Sequence, residues 1–167
     1  MKRCVSILIA LLLVLAGCTA GPSLSSGNRA IDFSAEDLEG NEITLSDYRG
    51  KVVLLDFWAT WCVGCVIQMP HLKALYEKYH GQGFEIIGIS ADRDPQVLND
   101  FIRHTGIEWP QVLDLARTDS QISEIYRAYL LPTTYLIDKN GVIRAVNLSG
   151  QELESAIKAL LGSPAKE

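Results

Sequence analysis

Val52-Val53-Leu54-Leu55-Asp56-Phe57-Trp58-Ala59-Thr60-Trp61-Cys62-Val63-Gly64-Cys65 is the stretch that fixes the reading of this chain. It opens as a continuous apolar run, residues 51–58, of the kind a strand buried on both faces shows. A single acid, Asp56, interrupts the run, and a carboxylate in such surroundings is costly without a reason. The run hands over to residues 63–80, where Ile67, His71, Leu72, Leu75, Tyr76 and Tyr79 fall at helical spacing and Gly81 offers a stop. Cys62 and Cys65 therefore sit at a helix N-terminus. There the positive end of the helix dipole and unpaired N–H groups lower a thiol pKa. Cys62, the outer member, fits a nucleophile, and Cys65, one turn in, fits the resolving thiol.

Other uses of the pair fare worse. A structural bridge over two residues closes a tiny loop and contributes little stability. A zinc half-site needs two more ligands, and His71, His80 and His104 show no partner spacing. Haem attachment needs a histidine after the second cysteine, where Val66 stands. The pattern implies a redox-active disulfide, with no metal and no separate cofactor.

Outward from this centre, helices and strands alternate. Residues 31–33 and 42–44 flank the turn-forming Leu38-Glu39-Gly40-Asn41 and predict an N-terminal hairpin. Ser46 can cap a brief turn that Gly50 ends. Residues 84–89 form a second buried strand, and Pro95 opens a helix to Thr105 before Gly106. A short strand at 111–113 and a helical segment at 120–126 follow. Residues 133–137 and 142–146 are strands joined by Asp138-Lys139-Asn140-Gly141. The last helix spans 151–161, stopped by Gly162. The charges at Ala91-Asp92-Arg93-Asp94-Pro95 read as a solvated face. The sum is an α/β sheet covered on both faces, in one domain over residues 29–162 with a tail at 163–167.

The N-terminus reads as an address. Lys2 and Arg3 precede residues 5–16, an apolar run of signal-peptide length and too short to span a bilayer. Leu15-Ala16-Gly17-Cys18 resembles the bacterial lipobox, which implies a signal at 1–17, lipid on Cys18 and a flexible tether over 18–28. An ordinary secretory signal, with Cys18 incidental, is the alternative. By the same resemblance, Thr19 stands where Asp is the usual inner-membrane retention residue, which implies the outer membrane. Hydrophobic residues at 48% against charged residues at 21% exclude a wholly disordered chain. A net charge of −5 without a basic run lacks the footprint of a nucleic-acid binder.

The ordered set of residues 53–62, Cys65, Pro70 and Leu131-Pro132-Thr133-Thr134-Tyr135-Leu136-Ile137-Asp138 resembles the TlpA/ResA-like branch of the thioredoxin fold. These are exported thiol–disulfide oxidoreductases, often tethered to membranes. The resemblance implies a mixed sheet with helices on both faces, an N-terminal β-hairpin extension and a central βα insertion after residue 90. It also implies that Pro132 is a cis-proline facing the dithiol and that Leu131 offers its backbone to an extended client. Asp56 matches the buried carboxylate beneath the active site, with a raised pKa suited to taking the Cys65 proton. Trp58 and Trp61 are expected to shield the dithiol and shape a contact surface, and Pro70 to kink the helix.

Two positions depart from the family. Val63-Gly64 replaces the Gly-Pro or Glu-Pro of relatives, and Gln68 stands where ResA-like members have a glutamate. Gln68 cannot ionise, which leaves Asp56 to handle protons alone. The implied activity is reduction of disulfides in exported proteins by a monomer, with cytochrome c maturation as a setting. A transmembrane electron donor of the DsbD/CcdA type is the implied partner. A peroxiredoxin-like thiol peroxidase is one alternative, although Ala59 stands three residues before Cys62 and the upstream proline of that motif is missing. A tethered client-binding module, using Trp58, Trp61, Val63 and Leu131 as an apolar patch, is another.

Overall fold

The computed structural model describes residues 24–114 and 122–164. The signal segment, Cys18 and most of the tether lie outside those residues, as do Ser120 and the end of the tail. Within them, the run of apolar residues becomes β3 (Val52–Trp58), every residue of which is buried. It is the middle strand of a five-stranded sheet ordered β5-β4-β3-β6-β7. β4 (Phe84–Ser90) and β5 (Gln111–Leu113) continue the parallel half. β6 (Thr133–Ile137) and β7 (Ile143–Val146) pair antiparallel on the other side. The sheet is therefore mixed.

Alternation along β3 sorts two cores. Val52, Leu54 and Trp58 face a cluster with α1 (Val63–Tyr79), α2 (Pro95–Thr105) and α4 (Gly150–Leu161). Val53, Leu55 and Phe57 face a second cluster with Phe33, Ile43, Leu45 and the short α3 (Ile122–Ile125). Burying each such leucine contributes roughly 1.5–3 kcal/mol.

Local chemistry sets the boundaries. Asp94 accepts from Gln96 N–H to cap α2, Pro95 takes the first helical position, and Gly106 ends the helix at φ 64. At Asp138-Gly141, the Asp138 carboxylate accepts from the N–H groups of Asn140 and Val142, both at 2.9 Å. Its second oxygen accepts from Arg144 Nε at 2.7 Å.

Four expectations need correction. The first hairpin strand is β1 (Ser34–Glu36), paired with β2 (Glu42–Thr44), because Ala30 and Phe33 are spent on packing instead. Ser46 makes no side-chain cap on the 3-10 turn Leu45–Tyr48; its own N–H is taken by Asp32 Oδ1 at 2.8 Å. α1 is followed by a 3-10 turn at His80–Gln82 and closed by Gly83 at φ 92, two residues beyond Gly81. Ile67 is exposed, and Cys65, Met69, Leu72, Leu75, Tyr76 and Tyr79 form the buried stripe.

The chain enters at the far pole of the sheet. Gly27 N–H donates to Ile143 O, Ile143 N–H to Asn28 O, and Ala30 N–H to Gly141 O. Ile143 pairs with Ile137, which pairs with Val53 near the start of β3, whereas the cysteines follow its end. Among the described residues, no helix is long and apolar enough to cross a membrane.

Candidate active site

The end of β3 turns directly into the dithiol. Cys62 N–H donates to Ala59 O at 3.1 Å, closing a tight turn over Thr60 and Trp61. Cys62 is then the N-cap of α1, and its Sγ accepts from Cys65 N–H at 3.2 Å. The first turn of α1 carries no acid, so nothing on that turn offsets the attraction of the helix N-terminus for a thiolate. Cys62 and Cys65 are joined in a disulfide, with Cα atoms 5.3 Å apart. Cys62 keeps 8% of its surface and Cys65 only 3%, so Cys62 is the more exposed residue of the pair.

The Leu131–Pro132 peptide is cis. A Cβ built on Gly64 would lie 3.5 Å from Pro132 Cδ, so the proline ring packs against the residue between the cysteines. Leu131 and Pro132 are half-buried, while the neighbouring Leu130 is exposed. Trp61 and Val63 flank Cys62 and are exposed, Trp61 at 66%. Gln68 is half-buried, and α1 runs on through the exposed Pro70 to Tyr79.

Asp56 is 2% exposed. By alternation its side chain shares the α1 face with Leu54 and Trp58, the face whose core includes both cysteines. It pairs in register with Gly88 of β4 and Thr134 of β6, so it lies mid-sheet, far from any edge. Burial pushes its carboxyl up from 3.8 to about 7. A carboxyl poised there can accept a proton at neutral pH.

Trp58 is fully buried and cannot contribute to a contact surface, contrary to expectation. Its Nε1–H donates to Gln111 Oε1 at 2.9 Å, and its ring packs on Phe101. Gly88 makes room for Gln111: a Cβ there would lie 2.2 Å from Gln111 Oε1. Of Trp58 and Trp61, Trp61 alone lies at the surface. Asp92 likewise differs from the solvated charge expected of it. It is buried, and its carboxylate accepts from Thr60 N–H, Thr60 Oγ1 and Ser90 Oγ. Among the described residues no group of three His, Cys, Asp or Glu side chains is placed to hold a metal ion.

A strand-to-helix C-x-x-C turn faced by a cis-proline, on a mixed five-stranded sheet, defines a thioredoxin-fold protein-disulfide oxidoreductase. The chain belongs to the AhpC/TSA family, whose model matches residues 26–146, and within that thioredoxin-fold family its relatives are thiol–disulfide oxidoreductases. It is 39% identical over 145 residues to the thiol-disulfide oxidoreductase ResA of Geobacillus thermodenitrificans, covering 87% of this chain and 81% of the relative. With ResA of Bacillus subtilis it shares 37% over 135 residues, covering 81% and 73%. The thioredoxin domain of a thiol-disulfide oxidoreductase from Bacteroides vulgatus superposes with a TM-score of 0.77 at 32% identity, covering 84% of this chain and 100% of that one. A thiol:disulfide interchange protein from Bacteroides sp. gives 0.74 at 31%, covering 83% and 91%.

Proposed function

We propose that the chain is an exported, lipid-anchored reductase of protein disulfides, with Cys62 attacking, Cys65 resolving and Asp56 taking the Cys65 proton. The observation that carries this reading is the C-x-x-C pair at the start of α1 on the same face as a buried, unusually basic carboxyl. The Cys62 thiolate attacks one sulfur of a client disulfide. The client bond breaks, the Cys62–client bond forms, and the departing sulfur leaves as a thiolate that is then protonated. Cys65 gives its proton to Asp56 and attacks Cys62 Sγ. The second client sulfur leaves, and the Cys62–Cys65 disulfide forms. Two electrons have passed from protein to client. Leu131 and Pro132 hold the client segment beside the cysteines as an added strand, and Trp61 shapes the contact surface.

The signal pattern at 1–17 and the lipobox-like Leu15-Ala16-Gly17-Cys18 support lipidation of Cys18, a tether over 18–28 and a catalytic domain over 29–162. They favour a site outside the cytoplasm, with Thr19 favouring the outer membrane. An oxidising compartment re-oxidises the pair, so a transmembrane electron donor of the DsbD/CcdA type must restore it. Disulfides of apocytochrome c are suitable clients. The absence of a histidine or arginine between the cysteines leaves the thiolate without extra stabilisation and favours a reductant.

The test is the reduction potential of Cys62–Cys65 in the purified full chain, equilibrated against dithiothreitol or glutathione. A value at or below about −250 mV, near thioredoxin at about −270 mV, is expected. A value above about −150 mV, towards the oxidant DsbA at about −120 mV, overturns the reductase reading.

A further inference from the structure

Between Trp58 and Cys62 the backbone has left the sheet, yet it carries the attacking sulfur. Such a turn needs an anchor outside its own hydrogen bonds. Thr60, at its centre, supplies two donors to one acceptor: Thr60 N–H reaches Asp92 Oδ2 at 2.9 Å and Thr60 Oγ1 reaches Asp92 Oδ1 at 2.7 Å. Asp92 is itself fixed from the neighbouring strand. Ser90 Oγ donates to Asp92 Oδ2 at 2.8 Å, and Asp92 N–H donates back to Ser90 Oγ at 3.0 Å. Ala91 N–H completes the tie by donating to Trp58 O at 2.9 Å. Asp92 is 3% exposed and has no ion-pair partner among the described residues. A buried carboxylate satisfied only by neutral donors is costly to keep unless its geometry matters.

We propose that Asp92 is a positioning residue for the reaction, a clip from the end of β4 that holds the Ala59–Thr60–Trp61–Cys62 turn so that Cys62 Sγ stays at the N-terminus of α1. The inference rests on Cys62 as the attacking sulfur. Asp92 touches no reacting atom and acts through Thr60. Without the clip the turn drifts, and Cys62 loses its place against the helix N–H groups that stabilise its thiolate. A displacement of about 1 Å in such a site costs up to ~10²-fold in rate. The hydrogen-bond pattern, not the charge, is the requirement. An asparagine at 92 keeps an oxygen for Thr60 N–H and Ser90 Oγ–H, and its amide can donate to Thr60 Oγ1.

Two readouts on the reduced full chain test this: the rate of insulin disulfide reduction, and the pH midpoint of Cys62 alkylation by iodoacetamide, resolved by peptide mass spectrometry. Asp92→Ala is expected to slow reduction at least about 10-fold and move the alkylation midpoint upward. Asp92→Asn is expected to stay within about 3-fold of the native chain, with an unmoved midpoint. Thr60→Ala keeps the main-chain bond and loses one of the two contacts, so its alkylation midpoint is expected to move upward by less than in Asp92→Ala; should Asp92→Ala not fold, an unmoved midpoint in Thr60→Ala overturns the proposal. A merely structural aspartate would lower the melting temperature and leave the midpoint alone, which overturns the proposal. So does an asparagine variant as slow as the alanine one. A native chain in which Cys65 is alkylated faster than Cys62 overturns instead the assignment of the attacking sulfur.

Discussion

Replacing Asp56 with asparagine should invert the usual expectation for a catalytic acid by making the protein more stable at neutral pH. Burial raises this carboxyl from 3.8 to about 7. Between those values the folded chain holds a proton that the unfolded chain has released. Below about pH 4 both states carry it and nothing is lost. As pH rises the folded state is penalised, fully so above about 7. At about 1.36 kcal/mol per pH unit the penalty reaches roughly 4 kcal/mol. The asparagine variant has no such titration. Even after about 1–3 kcal/mol for an amide short of partners, it should match or exceed the native chain at pH 8 and be the weaker of the two at pH 4. Urea unfolding of the oxidised full chain from pH 4 to 8 measures this, because the bonded cysteines do not titrate. With a urea slope of about 2 kcal/mol/M, the gap between the two midpoints should shift by about 2 M across the range. Parallel curves would refute the reasoning. The same variant should slow disulfide exchange by about 10²-fold or more, with mixed disulfides persisting because Cys65 has lost its proton acceptor.

Cys65→Ser should accumulate client mixed disulfides on non-reducing gels and Cys62→Ser should not; equal trapping by both would refute the assigned roles. Gly88→Ala places a methyl 2.2 Å from Gln111 Oε1 and must displace the partner of Trp58 Nε1. A loss of about 1–3 kcal/mol in denaturant unfolding is expected, and a change under about 0.5 kcal/mol would refute the packing argument. Asp138 is pulled up by burial but held below its usual range by Val142 N–H, Arg144 and Asn140 N–H. Asp138→Ala should therefore cost about 2–4 kcal/mol at pH 7. That cost should shrink as pH falls below the ordinary carboxylate range and the native side chain gains its proton; a pH-independent cost would refute the account.

The parts legible in sequence are those where one physical rule dominates. The continuous apolar run that becomes Val52–Trp58 reads as a buried strand, and Pro95 with Gly106 brackets α2; the Asp94 cap emerges only in the structure. The C-x-x-C pair and Asp56 stood out because each violates its surroundings. Other residues serve tertiary needs that no local pattern records. Ile67 continues an apolar pattern yet lies outside the core, while Met69 takes the buried position. Phe33 looks like a strand residue and packs as a loop anchor. Asp92 lies in a run of charges that reads as solvent-facing, and only the approach of Thr60, 32 residues earlier, reveals it as an acceptor. The Ser90-x-Asp92 pairing at a strand end was the one local hint.

The entry of the chain beside Gly141 and Ile143 has a mechanical consequence. On the proposed lipidation of Cys18, the tether would join the domain at the pole of the sheet opposite the cysteines. The seven residues of β3 alone separate the two poles by about 20 Å. The ten residues from 18 to 27 extend at most about 35 Å. With that anchor, swinging about the entry point would carry the dithiol over a range of heights above the bilayer set by the combined reach of tether and strand. On the proposed function, a membrane-embedded electron donor would meet the dithiol within that reach, and clients diffusing in the compartment would meet the end of the domain farthest from the tether.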